Sequence, residues 1–305
     1  MRIGIFGGEL GGGTGGFDEL VTSVQTAAED GFHTFWAPQI FGLDALTALA
    51  VVGHEVDGIE LGTAVVPTYP RHPMMMAAQA LTVQKASNGR LALGIGLSHQ
   101  VVVESMWGLS FDKPVRHMRE YLSILRPLLY GESVSERGET LTFNGGLTID
   151  NPAGAPPILV AALGTQMLNL TGRLADGTIT WMTGPSTLKE HTVPTLRSAA
   201  AAAGRPEAVR VVAGLPVCVT DDPGAARDRA AKVFSVYGQL PSYRAMLDRE
   251  GAEGPADVAL CGDEATVRAG IARLEEAGVT DFCAAEFASS DVERGRTRDL
   301  LRSLL

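Results

Sequence analysis

Residues 59–99, IELGTAVVPTYPRHPMMMAAQALTVQKASNGRLALGIGLSH, constrain the fold of this chain more than any other stretch. An apolar strand runs into a loop punctuated by Pro67, Pro70 and Pro73, then into an Ala- and Met-rich helix. Asn88-Gly89 ends that helix ahead of a second apolar strand. Glycine accepts the left-handed backbone that closes a helix, so the chain turns back there. Strand, helix and strand in this order form a βαβ unit, with its two strands parallel. Polar, Gly and Pro residues gather just after both strands, where parallel sheets carry their ligand sites.

The same grammar recurs along the chain. Ala28-Glu29-Asp30-Gly31, Ala175-Asp176-Gly177 and Glu276-Ala277-Gly278 each stop a helix and re-enter a strand. Apolar periodicity predicts strands near 2–6, 33–37, 59–66, 91–95, 157–162, 178–182, 209–219 and 280–286. It predicts helices at 17–30, 43–53, 73–87, 114–130, 165–175, 186–203, 223–236, 263–277 and 291–304. Eight strands, each followed by a helix, predict an α/β fold, a single (β/α)8 TIM barrel domain over residues 1–305. Two short insertions interrupt it: a hairpin within 131–156 around Thr140–Phe143, and an extra helix, Tyr243–Arg249, within 238–258.

Several function classes are disfavoured. The net charge is −10 and Lys and Arg form no cluster, which argues against a nucleic-acid partner. No run approaches the uninterrupted apolar length of a membrane span, and the first residues are too short an apolar run for a signal peptide. Cys218, Cys261 and Cys283 lie far apart without CxxC spacing, which points to a reducing, cytoplasmic setting. The histidines at 33, 54, 72, 99, 117 and 191 form no i,i+4 pair and no HExxH, so no metal centre is expected. There is no GxSxG elbow and no Gly-Lys-Ser/Thr.

What remains sits at the predicted strand ends. Gly11 to Gly16 satisfies G-x-G-x-x-G, but it begins five residues after Phe6, and strand two ends at Ala37-Pro38-Gln39 without an acidic residue for a ribose. A glycine-rich loop at a barrel mouth is the alternative to a dinucleotide fingerprint. His99 and Glu104 follow strand four, either as solvated loop residues or as proton-handling groups. Trp36 and Trp107 either stack on a flat ligand or fill a core. Gly164-Thr165-Gln166-Met167 turns a strand directly into a helix, and the free N–H groups there make a cradle for an anion.

Four segments resemble one family: Leu61–Pro67 with Arg71-His72-Pro73, Asn88–Gly96, Pro157–Thr165, and Leu174-Ala175-Asp176-Gly177. In this order they resemble the luciferase-like flavin and deazaflavin oxidoreductases, most of all the coenzyme F420-dependent branch typified by methylenetetrahydromethanopterin reductase. The resemblance implies a cis peptide at Ala64–Val65, in a bulge with Val66 that supports the cofactor ring. It implies cofactor contacts at Gln39, at Gly96, Leu97 and Ser98, at Gly164, Thr165, Gln166 and Met167, and at Met182, Thr183 and Gly184. Gln39 and Ile40 stand where family members often carry an Asp-His pair, which argues against a sugar-phosphate dehydrogenase.

The expected activity is hydride transfer between reduced F420 and a small molecule with a C=C or C=N bond. His99 and Glu104 are the candidate proton donors, and Glu9, Trp36, Phe41, Tyr69 and Trp107 the candidate substrate contacts. An FMN-dependent monooxygenase is the runner-up, and a non-catalytic ligand-binding barrel the third reading. The expected partners are a small-molecule substrate and a second copy of the chain, in a homodimer through helices two and three.

Overall fold

Eight parallel strands close on themselves. They are β1 (Arg2–Phe6), β2 (Thr34–Ala37), β3 (Glu60–Thr63), β4 (Leu91–Gly96), β5 (Ile158–Ala161), β6 (Gly177–Trp181), β7 (Arg210–Val219) and β8 (Asp281–Glu286). Each is hydrogen-bonded to the next, and β8 returns to β1. The computed structural model describes residues 1–8, 16–205 and 209–305. Glu9 and Gly11 to Gly15 lie outside the described residues. The dinucleotide reading of the glycine motif fails on topology, because a closed barrel has no point of strand-order reversal.

The outer layer comprises α1 (Phe17–Glu29), α2 (Ala45–Glu55), α3 (Pro73–Ala86), α4 (Pro114–Leu129), α5 (Thr165–Leu174), α6 (Val193–Ala202), α7 (Pro223–Val233), α8 (Pro241–Glu250), α9 (Glu264–Glu276) and α10 (Asp291–Arg302). Several begin at a side-chain cap: Asp44 accepts from Thr47 N, Asp263 from Thr266 N and Ser290 from Glu293 N. The helix expected over 186–203 is α6 preceded by two distinct turns, Pro185–Thr187 and the π-helical Leu188–Thr192.

Strand residues alternate between the helix layer and the barrel interior, and the interior is stacked. At the N-terminal end lies a polar layer. Arg210 reaches Glu60 at 2.5 Å and Asp281 at 2.7 Å, and Arg2 and Thr34 also bond Glu60, at 2.9 and 2.8 Å. Burial works against the Arg210 charge, but the bonds to Glu60 and Asp281 outweigh it and raise its pKa. Above this sit Trp36, Ala92, Leu159, Ile179, Val212 and Cys283. Trp36 is 0 % exposed and lies over Arg210, with guanidinium carbon and ring centre 5.3 Å apart. Glycines at 4 and 62, on the flanking strands, make room for it: a Cβ at either position would run into its ring. Trp36 is therefore core, a correction to its expected place in the substrate pocket.

β3 does not continue smoothly to Val66. Gly62 pairs with Ala92 and Val66 with Ile95, so four steps on one strand oppose three on the other. The extra residue is a bulge, and the Ala64–Val65 peptide within it is cis. Thr63 replaces the lost ladder bonds: its hydroxyl donates to Gly94 O at 2.7 Å and accepts from Gly94 N at 2.8 Å.

The expected hairpin is present as Val134–Arg137 against Thr142–Gly145, slightly displaced from the predicted Thr140–Phe143 strand. Glu120 on α4 anchors it by accepting from Glu139 N, Thr140 N, Thr140 Oγ1 and Leu141 N. A strand that periodicity does not predict, Leu260–Gly262, pairs with the overhanging end of β7. Among the described residues no helix is long and apolar enough to cross a membrane.

Candidate active site

The C-terminal ends of the strands carry the unusual backbone. Ser98, two residues beyond β4, has φ 64°, and Met182, directly after β6, has φ 52°. Residues with side chains adopt this left-handed region uncommonly, and it recurs at ligand sites. Gly96 is wedged between the bulge and β5, since a Cβ there would lie 2.7 Å from Val65 Cγ2 and 3.2 Å from Ala161 Cβ. Ala64, Val65, Leu97 and Ser98 are half-buried around this point, whereas Val66 is wholly buried.

An aromatic wall continues from there. Phe6 stacks on Trp181 with ring centres 5.3 Å apart, and Trp181 meets Tyr237 edge-on at 6.0 Å. Tyr237 meets Tyr243 at 5.1 Å, and Tyr243 meets His99 at 5.7 Å. The wall thus joins the ends of β1, β4 and β6 through the segment that follows α7. Sequence reasoning singled out His99 here but missed Phe6, Trp181, Tyr237 and Tyr243. The available signal was even spacing: Phe6 shares a strand face with Gly4, and Trp181 with Ile179.

His99 is half-buried, and burial lowers its pKa, so its ring is neutral at physiological pH. Glu104 lies exposed in a π-helical turn, Val102–Met106, with both carboxylate oxygens accepting from Gln100, at 3.2 and 3.1 Å. Among the described residues no hydrogen bond joins His99 to Glu104. Trp107 closes that turn, half-buried. Phe41, after β2, is 67 % exposed. The Gln39 side-chain oxygen accepts from Ala45 N at 2.8 Å, so that atom is committed to the start of α2.

Tyr69 lies between two rings, stacked on His117 at 4.1 Å and on Phe111 at 5.3 Å. Its hydroxyl is buried without a hydrogen-bond partner among the described residues. Burial, with the negative charges of Asp112 and Glu104, pushes its pKa up to about 12, so it keeps its proton. Beneath it, burial holds His117 at about 4 despite the nearby Glu120 charge, and Nε2 of His117 is 3.1 Å from Thr68 Oγ1. Between pH about 4 and the ordinary imidazole value of about 6.5 the folded state therefore binds fewer protons than the unfolded chain. Stability is expected to fall as pH drops from about 6.5 to about 4, by up to roughly 3 kcal/mol from this residue. Urea unfolding of His117→Gln at pH 7.5 and pH 4.5 should show a smaller pH dependence than the native chain. An unchanged difference would remove His117 as the cause.

Two helix starts lie at the mouth, and they differ. After β6, Glu250 Oε1 and Oε2 accept from Ser186 N and Thr187 N at 3.1 and 2.7 Å, and its carboxylate covers Gly184. Met182 and Thr183 are buried, so their side chains belong to the core. After β5, Gly164 begins α5 with no side-chain cap. Gly164, Thr165 and Gln166 are exposed while Met167 packs inward, and a Cβ at 164 would meet nothing within 4 Å. The first-turn N–H groups of α5 are thus open to an anion, and those after β6 are already occupied by a carboxylate. Among the described residues no group of three or more His, Cys, Asp or Glu side chains could hold a metal ion.

A sequence model of the luciferase-like monooxygenases matches residues 1–281. A 5,10-methylenetetrahydromethanopterin reductase of Archaeoglobus fulgidus is 31 % identical over 237 residues, covering 76 % of this chain and 70 % of the relative. A putative coenzyme F420-dependent oxidoreductase of Mycobacterium tuberculosis is 32 % identical over 253 residues, covering 79 % and 71 %. The solved structure of the coenzyme F420-dependent tetrahydromethanopterin reductase from Methanopyrus kandleri superposes with a TM-score of 0.81 over 99 % of this chain and 96 % of that one. At 20 % identity, that last likeness speaks for the barrel alone.

Proposed function

The chain belongs to the luciferase-like monooxygenase family, and from that premise we propose that it is a coenzyme F420-dependent oxidoreductase. Its reaction moves a hydride between the deazaflavin and a small organic substrate with a C=C or C=N bond. The observation that carries this reading is the uncapped, exposed start of α5, a cradle suited to the cofactor's phosphate. The mouth fits the rest of such a group: left-handed backbone at Ser98 and Met182, the bulge at Ala64–Val65, and the aromatic wall that starts at Phe6.

When bound, the deazaflavin supplies hydride chemistry without readily activating oxygen. The protein's residues do the remainder. The N–H groups of Thr165, Gln166 and Met167, with the helix dipole, hold the phosphate. Gly96, Leu97 and Ser98, with Val65, shape the floor, and the wall from Phe6 to Tyr243 keeps water from the reacting atoms. The proton is passed by the imidazole of His99, neutral in the folded chain, while Tyr69, whose buried hydroxyl keeps its proton, lies near Glu104.

Titration of the apo protein with F420 and with FMN tests the reading. F420 should bind, and tight FMN binding with no F420 binding would overturn it in favour of a flavin monooxygenase. Neither binding would favour a catalytically silent barrel. Gly164→Val should weaken F420 binding at least about tenfold, or about 1.4 kcal/mol. Its unfolding midpoint should stay near that of the native chain, because the new Cβ meets no protein atom.

A homodimer through α2 and α3 belongs to the same reading. Val51 and Met75 are exposed on these helices, which also line a cleft of about 290 Å³ with Leu46, Thr47, Ala50, Ala78, Gln79, Thr82 and Val83. Light scattering at several concentrations would give a monomer mass if this is wrong. A cytoplasmic location fits three cysteines that are all free and buried.

A further inference from the structure

A second cleft lies among the outer helices, away from the one beside α2 and α3. It has a volume of about 390 Å³ and runs along the outer face of α5, lined by Val115, Gln166, Asn169, Arg173, Ala199 and Ala202. Gln166, Asn169 and Arg173 stand at i, i+3 and i+7, so they form one stripe of the helix. The stripe begins in the first turn of α5, where the anion cradle lies, and ends about 10 Å away at the last turn.

The chemistry of the lining is one-sided. None of the six residues is acidic, in a chain whose net charge is −10. Arg173 is exposed and has no ion-pair partner among the described residues; only its Nε is engaged, donating to Asn169 O at 3.1 Å. Asn169 Nδ2 is taken by Thr165 O, which leaves its side-chain oxygen and the Gln166 amide free for a polar guest. A cation at the far end of a groove that starts beside a phosphate cradle suits an extended polyanion continuing from that phosphate.

We propose that this groove holds the γ-linked glutamate tail of the deazaflavin cofactor, with Arg173 pairing a tail carboxylate. The proposal rests on the F420 reading above and adds a second binding site to it, outside the barrel mouth. Each γ-linked glutamate carries one free α-carboxylate, and a guanidinium can engage it through two N–H bonds. The site is solvent-exposed, so its contribution is modest and salt-sensitive.

The test is equilibrium binding, read by deazaflavin fluorescence, of F420 preparations bearing no, one or several glutamates. Native protein should bind the longer forms more tightly than the glutamate-free form, by about fivefold in low salt, with the advantage shrinking in high salt. Arg173→Glu should abolish that advantage and leave the glutamate-free form unaffected. Ala202→Lys, at an exposed position, should enlarge it. Affinity independent of tail length, or an equal loss for the glutamate-free form in Arg173→Glu, would overturn the groove while leaving the F420 reading intact. Failure of every form to bind would overturn both.

Discussion

Gly94→Ala is expected to cost at least about 4 kcal/mol of folding stability, a large share of what a protein this size has to lose. A Cβ at position 94 would overlap the carbonyl oxygen of Thr63 and approach Val65 Cγ1 at 3.1 Å. The obstacle is backbone, so no rotamer change relieves it. Moving Thr63 away also breaks both hydrogen bonds between its hydroxyl and Gly94, the ones that replace the sheet ladder beside the bulge. Gly96→Ala is the comparison. Its nearest obstacles are the side chains of Val65 and Ala161, so about 1–3 kcal/mol is expected. Denaturant unfolding of both variants, beside Gly164→Val, should rank position 94 far above 96 and 96 above 164. Equal effects at 94 and 96 would mean that the bulge gives way easily.

Arg210→Met should cost about 3–5 kcal/mol, because it leaves carboxylates buried without their cation. Arg2 still reaches Glu60, but Asp281 is nearly inaccessible, its side chain 3 % exposed, and Arg2 lies 3.6 Å from it. An orphaned buried carboxylate escapes the penalty by taking up a proton. The deficit relative to the native chain should therefore be larger at pH 8 than at pH 5, and adding Asp281→Asn should recover part of it. A deficit under about 1 kcal/mol at both pH values would show that water reaches this layer.

The eight barrel strands were legible because each is a short apolar run bounded by Gly or polar residues, a strictly local signal. What escaped depended on neighbours. The break in β3 comes from a three-against-four pairing with β4, which one strand's periodicity cannot reveal. Leu260–Gly262 has three residues and exists because β7 overhangs. Trp36 looked like a mouth residue from its place near a strand end. Its register against Gly4 and Gly62 puts it inside, and those two glycines were the clue that space had been cleared for a large ring. The uncapped start of α5 was readable from Gly164-Thr165 alone. The carboxylate that closes the other helix start comes from Glu250, distant in sequence, and only the folded chain brings it there.

The fork at the end of β7 has a wider meaning. Val217–Val219 pair with Leu260–Gly262, so the chain leaves the barrel at one strand and rejoins it at the neighbouring one. Residues 220–259 between them carry Tyr237, Tyr243 and Glu250. A segment whose two ends lie one strand spacing apart is a cassette: its length and contents can change without altering barrel closure. Descent or engineering can therefore exchange one side of the mouth in a single contiguous replacement, leaving the open start of α5 and the bulge in place.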